Sequence, residues 1–559
     1  MEIGLWQRGG HDHRDGRHGT PGRARALGLA DVQPYERRFG GHMSTTTTPP
    51  VGTLGPAASA TRGWSRGRWI ERWEPDDEGF WRTTGRAIAR KNLIFSIFAE
   101  NIGFSIWVLW TIVVINLANI GIVMSIDELF VLTAIPNLVG SFLRIPYTFA
   151  VPRFGGRAWT TFSASLLLIP CALLAFLVPT GWLASQPHDT QLWILIACAA
   201  TAGVGGGNFS SSMANISFFY PERHKGLALG LNAAGGNLGV AICQLIVPLV
   251  VIVGIPAAAV KLPKHDIHMA YAGLVWMPLI VIAALGAFYY MDSLRPAKAD
   301  KSSYVEAVKQ PQTWIMSLLY IGTFGSFIGY SFALPLVIKN TFPEFLGGHP
   351  FIATYLAGLG FLGALIGSLA RPLGGWLSDR VGGSRVTLAT FIGMGVFTVV
   401  AIQGVQQRSF TVFFASFMVI FLLSGIGNGS TYKMIPSIFA ALGRREIAEK
   451  GLEPRAAAIE WKRRAAAVIG IAGAIGAFGG FLVQLAFRQA SLGVSAAVKA
   501  AATPAEKVSV AAAHATWSVP ALWVFVGAYV VFALVTWLCY LPAPSDASER
   551  VDGVASAAI

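Results

Sequence analysis

The sequence predicts an all-α membrane protein of about twelve transmembrane helices in two pseudosymmetric six-helix halves. Three observations predict it. Hydrophobic residues make up 53% of the 559 positions and charged residues only 13%, about half the charge of an ordinary soluble domain. Apolar stretches long enough to cross about 30 Å of hydrocarbon recur along the chain. A weak repeat relates the first six stretches to the last six.

The stretches run near 93–118, 127–151, 158–180, 190–219, 226–254 and 269–291, then 312–338, 351–377, 386–404, 410–438, 464–487 and 515–541. Many carry Gly, Pro and Ser, which spanning helices tolerate when packed against neighbours. The organisation that follows is a mostly disordered tail over 1–90, a first half over 91–292 and a linker over 293–311. A second half over 312–541 and a short tail over 542–559 complete it.

The net charge of +14 invites a nucleic-acid reading, but the positions of the positive residues argue against one. Lys and Arg gather before the first stretch ("RGWSRGRWIERW", "RTTGRAIARK") and in alternate loops: "PRFGGR", "PERHKG", 292–311, "SDRVGGSR" and the long loop 443–464. The loops between hold few. By the positive-inside rule both termini are cytoplasmic in a multi-pass protein of the cell membrane. No nucleic-acid partner is expected, and basic strips can bind anionic lipid headgroups.

Cys171, Cys198, Cys243 and Cys539 all fall in apolar stretches without paired spacing, and read as buried packing residues. No metal centre or cofactor site is expected. The first 42 residues are polar and lack an apolar core, so they are no secretory signal. Their "HDHRDGRH" reads as a polar tail rather than a metal site, and Met43 is a plausible alternative start.

Two arginines lie inside the apolar stretches: Arg144 in "LVGSFLRIPYTFAV" and Arg371 in "GSLARPLGGW". A central Arg costs about 2.5–3.5 kcal/mol on insertion scales. Arg144 stands eleven positions before Gly155-Gly156, and Arg371 eleven before Gly382-Gly383. Each therefore sits at the same depth on an equivalent helix, the second and the eighth. "GNFSSSM" on the fourth stretch likewise pairs with "GNGSTYK" on the tenth. Two halves so related place a binding site near the midplane between them. The two cations would face each other there and repel strongly in low dielectric unless an anion lies between.

The alternative is that each arginine pairs with an acid or snorkels to an interface. Glu100 is the one acid well inside a stretch, and it cannot neutralise both. A guanidinium is a flat fork that matches planar oxyanions by two parallel hydrogen bonds. With no further basic cluster in the spans apart from Lys433, phosphate esters are under-provided for. A small planar monoanion such as nitrate, nitrite or formate fits best.

Glycines supply close helix contacts. "GLALGLNAAGGNLGV" carries Gly226/Gly230 and Gly235/Gly239 at four-residue spacing; "GIAGAIGAFGGF" offers Gly476/Gly480, with Gly479 beside them.

The stretches "FLRIPYTFAVPRFGGR", "GNFSSSMANISFFYPERHKGLALGLNAAGGNLG", "SLLYIGTFGSFIGYSFA", "ARPLGGWLSDRVGGSRVTL" and "GAIGAFGGF" resemble those of the nitrate/nitrite porter family (NarK type) of the major facilitator superfamily. The likeness runs from about Trp73 to Tyr540 with the motifs in order. It implies the major facilitator fold and a nitrate and nitrite transporter working by alternating access, with Arg144 and Arg371 as the anion clamp. It further implies Phe209, Tyr320 and Phe324 as aromatic walls and Asn237 as a polar contact. Such types suit a flat anion, since aromatic faces sandwich it and a phenol or amide can donate to its oxygens. The two glycine-rich stretches match the family's nitrate signatures.

Glu100 and Lys433 fit less simply. They read either as a gating pair that forms and breaks as the halves rock, or as an interfacial acid and a snorkelling lysine. Glu100 could also carry a proton. A membrane sensor reusing the fold would be expected to append an output domain. An enzyme would need a nucleophile–base or metal cluster, and the stretches hold none. Nitrate/nitrite exchange is the leading expectation, by a functional monomer. Proton symport and another monoanion are the alternatives.

Overall fold

The computed structural model describes residues 64–65, 68–253, 267–297 and 301–541. The expected tail over 1–42, Met43 and the C-terminal 542–559 lie outside the described residues. Among the described residues twelve helices are long and apolar enough to cross a membrane. They are α1 Glu78–Ile120, α2 Ile126–Phe154, α3 Gly156–Phe176, α4 His188–Phe219, α5 Arg223–Val253 and α6 Tyr271–Tyr290. The second half follows with α7 Pro311–Thr341, α8 Ala357–Val381, α9 Gly383–Gln406, α10 Phe410–Lys450, α11 Ala457–Ala500 and α12 Val519–Tyr540. Each of the twelve apolar stretches overlaps one of these helices.

The repeat survives in the backbone. α2 ends at Gly155 (φ 84°) and α8 at Gly382 (φ 92°), both in a region closed to side chains. The same glycine-only turn therefore closes the helix that carries each arginine. α2 packs along α4, and α8 along α10, as equivalent pairs. The seam between the halves is made chiefly by α11 against α2 and α8 against α5.

The helices start where local chemistry dictates. Ser125 and Glu128 form a capping box at the head of α2, satisfying backbone donors that the first turn leaves open. In α7 the regular turn widens into a π-helical turn over Ile321–Gly325, a local irregularity that often marks functional sites. Residues around Gly358 (φ 67°) kink the chain at the head of α8, so the stretch read from 351 splits into a short helix Pro350–Tyr355 and α8 proper.

Three expectations need correction. α1 begins at Glu78, well inside the segment 1–90 read as tail. Ahead of it, β1 (Trp64–Ser65) and β2 (Trp69–Ile70) pair antiparallel, and β2 pairs parallel with β3 (Ser293–Leu294) after α6. Buried Asp292 locks this clasp through Lys91 at 2.9 Å and Arg68 at 3.7 Å. The long loop 443–464 is mostly helix as well, since α10 runs on to Lys450 and the next helix starts at Pro454. Hydropathy registers only the apolar part of a helix, so polar extensions beyond the bilayer escape it. Finally, Cys539 is exposed on α12, whereas the other three cysteines are buried.

Candidate anion site

The site is built from α2, α4, α7, α8, α10 and α11. Arg144 is fully buried, and Arg371 is 5% exposed. Phe209 of α4 lies under both: the guanidinium carbon of Arg144 is 4.6 Å from its ring centre and that of Arg371 is 5.9 Å. The arginines from equivalent helices thus share one aromatic face. Among the described residues neither forms a salt bridge.

Each guanidinium is oriented by neutral oxygens. Arg144 donates from Nε to the carbonyl of Gly206 (3.1 Å) and from Nη1 to the carbonyl of Gly473 (2.7 Å). Arg371 donates from Nη2 to the Tyr320 hydroxyl at 3.3 Å. One nitrogen on each fork, Arg144 Nη2 and Arg371 Nη1, stays buried without a partner, as does the hydroxyl of Tyr432. Buried donors are normally satisfied, and leaving one open costs about 1–3 kcal/mol, more for a charged group. Two unpartnered guanidinium nitrogens that can only donate, with the Tyr432 hydroxyl beside Arg371, make a donor-rich set, and a set of that kind suits an anion.

The aromatic residues form slabs. Phe209 stacks on Phe324 (6.1 Å, 23°) and Phe324 on Tyr320 (5.4 Å, 13°). Arg144 is held 5.0 Å from Phe324 and 5.4 Å from Trp107, and Arg371 is 5.2 Å from Tyr432. The π-turn of α7 follows Tyr320 and contains Phe324.

Arg144, Arg371, Phe209, Tyr320 and Phe324 therefore converge. Asn237 of α5 is buried with its Oδ1 unpartnered, and among the described residues no hydrogen bond joins it to either arginine. Glu100 and Lys433 are not paired in this state. Glu100 accepts from Ser212 and Asn232, whereas Lys433 is 43% exposed and pairs with Asp379. Similar depth in the membrane does not put two residues on facing surfaces.

The glycines divide as well. A methyl on Gly235 would press on Ile97 of α1, and one on Gly239 would overlap the Asn101 carbonyl. In α11 a methyl on Gly476 would overlap the Tyr320 ring, one on Gly479 would lie 2.9 Å from the α-carbon of Gly325, and one on Gly480 2.7 Å from Asn137 Oδ1. Gly226 and Gly230 depart from the expected packing face: both are exposed, and a methyl on either meets nothing within 4 Å. Four-residue spacing fixes which face two glycines share; it does not bring a neighbouring helix alongside.

Sequence reasoning missed Tyr432, Trp107 and the carbonyls of Gly206 and Gly473. Tyr432 was within reach of the repeat, since it stands in "GNGSTYK" where "GNFSSSM" has Ser212. Backbone acceptors leave no trace in sequence.

The fold and this buried, paired-cation core define a transporter class. Residues 93–483 match the Major Facilitator Superfamily. The chain is 38% identical over 476 residues to the nitrate/nitrite transporter NarU of Salmonella typhimurium, covering 84% of this chain and 95% of that protein. It is 36% identical over 431 residues to the probable nitrate/nitrite antiporter NarK2 of Thermus thermophilus, covering 75% and 89%. A bacterial homologue of the human lysosomal transporter Spinster, solved in an inward-facing and occupied conformation, shares the fold at TM-score 0.56 and 15% identity. That match covers 80% of this chain and 95% of the other. The chain belongs to the nitrate/nitrite porter family of the major facilitator superfamily.

Proposed function

We propose that the protein moves nitrate and nitrite across the membrane by alternating access, exchanging one for the other. The observation that carries this is the pair of buried arginines, each with one unpartnered nitrogen, over a shared Phe209 ring. Arg144 and Arg371 clamp the anion, Phe209, Tyr320 and Phe324 wall it, and Tyr432 adds a donor. The printed functions of the relatives, NarU and NarK2, support the choice of substrate. The halves are α1–α6 and α7–α12, with both termini on the cytoplasmic side that the basic loops mark. One chain supplies the whole site, so a monomer is sufficient.

Exchange follows from electrostatics. Two guanidiniums without a paired acid repel, and two unit charges 4 Å apart cost about 4 kcal/mol at an effective dielectric constant of about 20. An anion between them relieves that repulsion, so the loaded carrier reorients more readily than the empty one. Proteoliposomes loaded with nitrite or with an inert anion and given external nitrate test the reading. Exchange requires uptake only with internal nitrite. Equal uptake into inert-loaded vesicles rejects it in favour of symport, and equal competition by formate widens the substrate class.

A further inference from the structure

We propose that Glu100 is a proton-binding residue whose protonation is linked to anion binding at the arginine pair, so that the site takes up a proton as it takes up nitrate. This rests on the reading of that pair as the nitrate site. The inference starts from the repeat. Glu100, Phe104 and Ser212 stand 220 positions before Tyr320, Phe324 and Tyr432. Gly236, against which Glu100 lies, stands 240 before Gly476, against which Tyr320 lies. The first half therefore presents a carboxyl where the second presents the phenol that touches Arg371. Phe104, one turn along α1 from Glu100, reaches the Phe209 ring at 6.1 Å, which places Glu100 on the face of α1 turned toward the site.

Glu100 is 1% exposed. Its Oε2 accepts from the Ser212 hydroxyl of α4 and from Asn232 Nδ2 of α5 at 2.6 Å. Its Oε1 has no partner, and a methyl on Gly236 would lie 2.5 Å from it. The charged and titratable groups within electrostatic reach are Arg144 of α2, Arg371 of α8 and Tyr432 of α10. No arginine forms a salt bridge with it among the described residues. A buried carboxylate with one bare oxygen and no ion pair is costly when charged. A proton on Oε1 removes the charge and leaves both Oε2 bonds in place.

The anion decides when that proton binds. Two arginines and a carboxylate sum to one positive charge. Bringing in nitrate beside an ionised Glu100 sets two negative charges against each other in low dielectric. Protonation (carboxylate plus one proton from water giving the acid, with no other bond changed) removes that repulsion and restores the net charge of one. Protonated, Glu100 is an O–H group, like its counterpart Tyr320. Nitrate and nitrite each carry the same proton through, so exchange itself leaves the pH unchanged.

Calorimetry of nitrate binding to the purified full-length protein, in two buffers of different ionisation enthalpy across mildly acid to mildly alkaline pH, counts the protons. The expected result is uptake of up to one proton per nitrate, with affinity falling at most about tenfold per pH unit as pH rises. Glu100→Gln should bind nitrate with no proton uptake and flat affinity. Nitrate binding by the wild type without proton uptake at any pH overturns the proposal, whatever the variant does. So does an equal pH slope in Glu100→Gln. Failure of exchange in vesicles with proton uptake intact would reject the exchange reading and leave this one standing. Absence of nitrate binding would overturn both.

Discussion

Arg144 of the first half donates through Nη1 to the carbonyl of Gly473 in the second, at 2.7 Å. The first cation of the site is thus also a strut across the seam, and rocking of the halves must break or slide that bond. Its Nε bond to Gly206 stays within the first half. One side chain therefore holds its own half through one nitrogen and the opposite half through a second, and its third, Nη2, has no partner.

A lysine cannot divide its bonds in this way. Replacing Arg144 or Arg371 by Lys keeps the charge but loses the planar fork. Charge-assisted hydrogen bonds contribute about 1.5–3 kcal/mol each. Nitrate uptake by either variant should fall at least about tenfold at equal protein in the membrane. Near wild-type uptake by Arg371→Lys would remove the clamp from the mechanism.

The glycines give a graded expectation. Gly476→Leu drives a side chain into the Tyr320 ring, and Gly235→Leu drives one into Ile97. Both should arrest transport while the protein still inserts. Gly226→Leu, with nothing within 4 Å, should transport within about twofold of wild type, as surface changes usually shift stability by less than about 0.5 kcal/mol. Parallel uptake assays and quantitation of membrane protein separate the two outcomes. Loss of transport in Gly226→Leu would mean that this end of α5 packs in another state of the cycle.

Lys433 offers a third check. Its partner Asp379 is 58% exposed and Lys433 itself 43%, and exposed ion pairs contribute about 0–1 kcal/mol. A double-mutant cycle of Lys433→Met and Asp379→Asn, read by thermal unfolding, should give a coupling of no more than about 1 kcal/mol. A much larger coupling, with transport lost in either single variant, would make the pair a gate.

Much of this was legible in the sequence because membrane burial makes polar residues conspicuous. Arg144 and Arg371 stand out in apolar runs, and the eleven-residue spacing to Gly155 and Gly382 reflects a turn that both halves share. What escaped had no such contrast. The start of α1 at Glu78 and the run of α10 to Lys450 are polar helix beyond the apolar stretches. The Gly473 carbonyl has no side chain to betray it. Lys433 stood out as sharply as the arginines, but its partner Asp379, in the last turn of α8, stands in a basic stretch of sequence, where an acid attracts no notice.

Hydrogen bonds between the halves gather at the end away from the basic loops, and two glutamines 240 positions apart supply two of them. Gln244 of α5 donates from Nε2 to Thr111 Oγ1 (3.2 Å) in its own half and to the Ser331 carbonyl (2.6 Å) in the other. Gln484 of α11 donates to the Gly329 carbonyl (2.7 Å) in its own half and accepts from Thr133 Oγ1 (3.0 Å) in the other. Each amide therefore contributes one crossing bond. The Asp127 amide adds another, to Ser495 Oγ at 3.3 Å, and Lys339 a fourth, to the Ile115 carbonyl. A net hydrogen bond is worth about 1 kcal/mol, so replacing both glutamines by Leu, which keeps the bulk and removes the bonds, should cost the closed end about 2 kcal/mol. That shifts the balance toward opening at this end by about thirtyfold. A cysteine placed at Ser495, in a background without Cys539, reports it through the rate of reaction with a bulky maleimide on purified protein. The double Leu variant should label faster in the absence of nitrate. An unchanged labelling rate would mean that apolar packing, such as Trp107 on Phe332 at 5.5 Å, holds this end and the amides do not.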